Sequence, residues 1–308
     1  MHYRSNLRRA VSGLTLASAL ACGTIALALP RFGEWSPPVS AETLPQSATS
    51  LNTPAVDGCV SLSRDGLQLF FNSNRAGNQD IYVASRDDRD LGFGAPVRLP
   101  APINTAADEF CPTSGLGNRL TFTRAGADPG DLYVSHEGPG GWSEPEPLGA
   151  AINSSLMEES ASFFEDEAGN QVMLFSRRQA NGAGGTIMAS VEGGPATALT
   201  GGPDSTASDN RPSVTHDGLT LFFDSTRSGT LGGPDLWVAT RSSTADAFGP
   251  ATHLITLSSP GFDARPSISW DGQELLFSSN RTGSESAAPD IWWTGRGKAP
   301  SGPKIITF

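Results

Sequence analysis

Two short runs in which apolar and polar positions alternate, GCVSLS from Gly58 and LQLFFNS from Leu67, flank Asp65-Gly66. Alternation at period two predicts half-buried strands. Asp-Gly between such runs is the strongest short hairpin signal, because Gly accepts a positive φ without steric cost. The same design returns as RPSVTHDGLTLFFDSTRSG from Arg211 and RPSISWDGQELLFSSNRTG from Arg265. Weaker copies begin at Phe110 (FCPTSGLGNRLTFTRAG) and Glu159 (ESASFFEDEAGNQVMLFSRR). Each unit then carries a third β-rich run: DIYVAS at 80, DLYVS at 131, TIMAS at 186, DLWVAT at 235 and DIWWT at 290. A connector with Gly or Pro follows in most units, as in FGAPV at 93, WSEPEP at 142 and FGPAT at 248, and the segment after it is expected to be a fourth strand.

A period near fifty residues signals a solenoid, propeller or array, since one such unit cannot cover its own two faces. No amphipathic helical period interrupts the five units. Four antiparallel strands per unit therefore predict an all-β fold, a single β-propeller of five blades rather than six, with repeats starting near 57, 109, 158, 209 and 263. Residues 1–41 are set apart as an export signal or N-terminal anchor with a short linker, and 42–308 as the propeller. Trp35-Ser36-Pro37-Pro38 resembles the connector at 142, so residues 35–45 are expected to supply the outer strand of the last blade. The tail GPKIITF competes for that place, and the N-terminal strand is preferred.

The units, read in register, separate packing from chemistry. Phe71, Phe122, Phe175, Phe223 and Phe277 share one position and read as interblade core; Tyr82, Tyr133, Met188, Trp237 and Trp292 read as packing on the third strand. An acid opens each unit (Asp57, Glu109, Glu158, Asp209, Asp263), and an arginine ends each second strand (Arg75, Arg124, Arg177, Arg227, Arg281). Asp80, Asp131, Asp235 and Asp290 precede the third strands, with Thr186 in the series. Antiparallel geometry brings acids and arginines to one rim. There they form ion pairs suited to the planar guanidinium, or a carboxylate ring able to hold Ca²⁺. This acidic, loop-bearing rim is the expected ligand-binding face, extended by loops such as RSGTLGGPD and RTGSESAAPD. Cys59 and Cys111 occupy equivalent places in adjacent blades and are expected to form a disulfide.

The pattern acid-x-x-P-S-x-x-x-DG, then L-x-F-x-S-x-R-x-G and D-[LI]-[YW]-V, resembles the TolB-type, WD40-like propeller repeat of bacterial envelope proteins. The resemblance covers about residues 35–297. It implies a propeller that interacts with envelope proteins, but the partner domain usual beside such propellers is absent from this sequence.

Composition fits that address. The net charge of −11 over 308 residues, without a basic stripe, argues against nucleic acid as a partner. The N-terminus places Arg4, Arg8 and Arg9 before the apolar run VSGLTLASALACGTIALAL, with A-x-A-like cleavage points after Ala28 and Ala41. Export to the periplasm or cell exterior is expected, with no membrane contact beyond this segment and a monomeric state.

Little points to catalysis. His136, His216 and His253 lie in different blades without metal-ligand spacing, and no G-x-S-x-G elbow occurs. The acids recur in register, as scaffolding does. The sequence thus leans away from an enzyme. It favours a non-catalytic scaffold that binds an envelope protein or glycan, the alternative being a carbohydrate-active propeller (hydrolase or lyase) that uses rim carboxylates.

Overall fold

A computed structural model describes residues 32–126, 129–179, 181 and 183–298. The segment expected to be an export signal or anchor, up to Ala28, and the competing tail GPKIITF lie outside the described residues.

Five antiparallel four-stranded sheets follow one another in chain order. The first strand of each lines the axis: Asp57–Leu62, Asp108–Gly115, Met157–Glu165, Asp209–Val214 and Asp263–Ile268. The outer strands of blades one to four are two-residue segments, Val97–Arg98, Glu146–Pro147, Thr197–Ala198 and Thr252–His253. Blade two adds a short hairpin arm at Gly141–Trp142. Blade three, which lacks the F/W-G-x-P block, still forms its fourth strand after Gly193-Gly194-Pro195. The only helix among the described residues is a 3-10 turn at Ala41–Thr43.

The fourth strand of blade five comes from the other end of the chain. Val39 pairs with Trp293 and Ser40 with Trp292, and further bonds from Gly33 and Ser36 extend the contact along the third strand. The ring is closed by the N-terminal segment, as the sequence suggested.

The five phenylalanines are fully buried, and each packs against the preceding blade. Phe71 meets Leu276 and Ile291 of blade five; Phe122 meets Phe70 and Ile81; Phe175 meets Leu132; Phe223 meets Phe164 and Leu174; Phe277 meets Phe222 and Leu236. Burial of an aromatic ring is among the largest apolar gains per residue, so these contacts weld wedge to wedge.

Every inner strand also carries a β-bulge at one place, shown by register shifts between Gly58/Ser61, Phe110/Thr113, Glu159/Ser162, Asn210/Ser213 and Ala264/Ser267. Two residues after each opening acid the backbone enters the left-handed region: φ is 50° at Cys59, 49° at Cys111, 58° at Ser160, 50° at Arg211 and 59° at Arg265. A bulge bends its strand, re-aims a side chain and frees a backbone N–H from the ladder. Four of those N–H groups are recovered by the neighbouring blade. Cys59 donates to Ser278 Oγ, Cys111 to Asn72 Oδ1, Arg211 to Ser176 Oγ and Arg265 to Asp224 Oδ1. Gly58 is required at one crossing, since a Cβ there would lie 2.3 Å from Ser278 Oγ.

Candidate functional site

The predicted rim is a set of five buried clasps. Each arginine meets the acid of its own blade at 2.5–2.8 Å, and each acid side chain is 0–3% exposed. A hydroxyl residue four positions earlier completes the clasp. Thr53, Thr105, Ser154, Ser205 and Ser259 each give both the backbone N–H and the hydroxyl to the carboxylate. The guanidinium carbons lie 4.9–5.8 Å from the ring centres of the core phenylalanines, in cation–π range. Acid and base are brought together as the sequence placed them, but within blades and under cover. The calcium expectation finds no support in this geometry. Among the described residues no three of His, Cys, Asp and Glu gather as a metal cluster, and each rim carboxylate already has its arginine and hydroxyl partners.

Two of the third-strand aspartates meet a group of the outer strand, although among the described residues Asp235 Oδ1 has no hydrogen-bond partner. Arg98 holds Asp80 through Nε and Nη2 at 2.6 and 2.7 Å, and His253 Nε2 holds Asp235 at 2.8 Å. In blade five Ser40 takes that outer place. Among the described residues no cation pairs with Asp290, and its Oδ1 has no hydrogen-bond partner. Burial, joined by the carboxylates of Asp57, Glu285 and Glu42, pushes Asp290 up to about 6, against a hydrogen bond from the Glu285 N–H.

The open cavity lies at the other end of the channel. It holds about 540 Å³, within the ordinary range for a small-molecule site. Its lining runs along all five inner strands from the bulges to the hairpin turns. The floor consists of the five bulge residues. Cys59 and Cys111 are joined, with Cα atoms 4.8 Å apart, and Cys59 Sγ lies 3.6 Å from Ser160 Oγ. Arg211 and Arg265 complete the floor.

The mouth is a second ring, seven residues after each acid: Arg64, Leu116, Glu165, His216 and Trp270. Trp270, 38% exposed, stacks with His216 at 4.9 Å and lies 4.4 Å from the Arg64 guanidinium carbon. On the far side Arg119 reaches over Phe163 at 4.2 Å and donates to Gln171 Oε1; burial lowers its pKa.

Charge in the cavity is one-sided. Arg64, Arg119, Arg211 and Arg265 line it against a single carboxylate, Glu165. Arg211 is ion-paired from behind, to Glu159 Oε1 at 3.1 Å and Asp224 Oδ2 at 3.0 Å, and Arg178 holds Glu159 at 2.9 Å. Glu159 and Asp224 are buried and titrate apart. Burial opposes the lowering of Glu159, but Arg211, Arg178 and Arg265 prevail; burial raises Asp224 despite Arg211.

The sequence named the rim and passed over the floor and mouth. Of their residues only His216 and the Cys59–Cys111 pair were singled out, neither as part of a binding surface. The missed signal was the repeat itself: within a regular frame, the positions two and seven after the acid change chemistry from blade to blade and line the channel.

No family model matches the chain, and no curated protein matches it in sequence. Solved structures share the architecture. An α-L-arabinofuranosidase from Lactobacillus brevis superposes with a TM-score of 0.56 at 14% identity, covering 83% of this chain and 94% of that one. A thermostable family-43 glycoside hydrolase gives 0.54 at 11% identity, covering 82% and 92%. A putative TolB from Agrobacterium tumefaciens gives 0.47 at 17% identity over 74% and 71%, too distant to argue from. At these identities the likeness is one of fold. The TolB-type repeat therefore stays a resemblance carried by its residues. The lean away from an enzyme is overturned: the better-superposing neighbours with this architecture are described as glycoside hydrolases, so the fold carries no presumption against catalysis.

Proposed function

We propose that this chain is an exported, carbohydrate-active propeller that takes a sugar chain into the cavity on its hairpin-turn face. The observation that carries the reading is the ring of five unlike residues at the mouth, Arg64, Leu116, Glu165, His216 and Trp270, set in a frame that otherwise repeats. Repetition serves packing, whereas chemistry on a ring needs different groups on different blades. A half-exposed indole held between the Arg64 guanidinium and the His216 ring presents apolar surface at the mouth for a sugar ring, and the arginines offer donors to its oxygens.

The alternative that used rim carboxylates changes place accordingly. The rim acids are held in clasps, so the acid–base side chains at hand for a bound sugar are Glu165 and His216, on neighbouring blades. A panel of neutral and acidic oligosaccharides, read by calorimetric binding and by release of reducing ends, tests the proposal. Binding that Trp270→Ala abolishes, with cleavage lost in Glu165→Gln or His216→Gln while binding persists, is the expected result. A folded protein that binds no member of the panel overturns it.

A further inference from the structure

The floor of the cavity holds a guanidinium without a counterion. Nε and Nη1 of Arg265 are buried with no hydrogen-bond partner, and among the described residues no carboxylate lies within ion-pair distance of this side chain. Its own backbone N–H is taken by Asp224, whose other oxygen serves Arg211. The left-handed bulge at φ 59° commits the residue to the axis, and bare Gly58 on the neighbouring blade leaves room, since even an added Cβ would stay 3.6 Å from Arg265 Nη1.

The charges around it do not balance. Arg178, Arg211 and Arg265 face Glu159 and Asp224, which leaves one positive charge in surplus even with both acids ionised. An unpaired buried charge is costly, and the cost is visible: burial first, then the neighbouring Arg211, bring Arg265 down to about 10, despite Glu159 and Asp224. Nε and Nη1 point to different edges of the guanidinium, so each is an idle donor for a charge-assisted hydrogen bond to a carboxylate oxygen. Above it stand Trp270, His216 and Phe163, which suit a ring and not a bare ion.

We propose that Arg265 is the carboxylate-binding residue of this cavity and that its ligand is an acidic sugar, a uronate whose carboxylate reaches the floor while its ring rests against the aromatic mouth. This rests on the reading of the cavity as a sugar site and narrows it to anionic glycans.

The experiment compares a uronate oligosaccharide, the same oligosaccharide as its methyl ester, and inorganic phosphate, each titrated calorimetrically against the full chain and against Arg265→Gln. Esterification removes only the charge. The expected result is roughly tenfold or greater weakening on esterification, from loss of a charge-assisted hydrogen-bonded pair. In Arg265→Gln the free acid should fall to the affinity of the ester, while the ester itself is unchanged. Arg265→Lys should recover part of the difference. The wild-type comparison needs no variant, so it stands even if Arg265→Gln fails to fold. Equal binding of acid and ester overturns the carboxylate site and leaves the sugar reading intact. Phosphate binding as tightly as the uronate, with the sugar ring adding nothing, overturns the acidic-sugar assignment. Failure of acid and ester alike overturns the acidic-sugar assignment, and the sugar reading falls with it only if the neutral oligosaccharides also fail to bind.

Discussion

Arg227 Nη2 lies 2.6 Å from Asp209 Oδ1, under cover of the blade-four turn and against the Trp237 ring. The carboxylate also accepts from Ser205 and Ser225, so the pair ties three segments of one blade together. Removing one member of a buried pair strands the other. Arg227→Ala should therefore lower unfolding free energy by about 3 kcal/mol. Chemical denaturation measures this; sugar binding per folded molecule should be unaltered, since the clasp stands at the end of the channel away from the cavity.

The Cys59–Cys111 bond closes a loop of sequence separation 52, and in the chain-entropy account that corresponds to about 4 kcal/mol of stabilisation. Denatured protein kept from reductant should show no free thiol at these positions. Cys59→Ser with Cys111→Ser should lower the unfolding free energy by an amount of that order, or less where the unfolded chain retains structure, read by chemical denaturation in the absence of reductant. Because the same two residues form part of the cavity floor, the double variant should also weaken binding there.

Asp290 makes stability depend on pH in a definite sense. Its folded value is raised to about 6, from an ordinary 3.8, so the folded protein holds this proton more tightly than the unfolded chain. The benefit is complete below about pH 4 and is lost as pH rises towards 6 and above. Wild-type protein should lose roughly 1–3 kcal/mol across that window through this residue. Asp290→Asn removes the ionisation while keeping an acceptor for the Glu285 N–H. It should melt a few degrees higher at pH 7 than wild type and show a flatter profile between pH 4 and 6, by thermal denaturation.

The closing strand constrains where a leader can be removed. Cleavage after Ala41 would take Val39 and Ser40 with it and leave Trp292 and Trp293 on an open sheet edge. A chain beginning after Ala28 retains the whole outer segment. The protein starting at residue 29 should be monomeric and cooperative in its melt, whereas one starting at 42 should melt well below it and associate through blade five. N-terminal sequencing of protein recovered from an exporting cell is expected to show a start upstream of Trp35.

Much of the fold could be read because it is written five times. A phenylalanine, an arginine or an acid that returns at blade period declares its role by recurrence, and the equivalent places of Cys59 and Cys111 in adjacent wedges put them within reach of each other. The hydroxyls of Thr53 and its counterparts escaped notice because Ser and Thr alternate there and the opening acids drew attention instead. Arg265 and Arg211 share their place in only two blades and Trp270 stands in one, so their role could not be read from recurrence around the ring. His216 looked isolated because its partner Trp270 belongs to another blade. Only the ring brings such residues face to face, and only the bulges turn the floor residues towards the axis.

Residues 39 and 293 meet although nearly the whole described chain runs between them. Until the third strand of blade five exists, the N-terminal segment has nothing to zip onto, and a growing or partly refolded molecule is an open arc with two raw ends. Joining sites so remote in sequence is entropically slow, and topology of this kind sets folding rates more than local propensity does. The final latch, and not the formation of individual wedges, should therefore pace maturation of the protein.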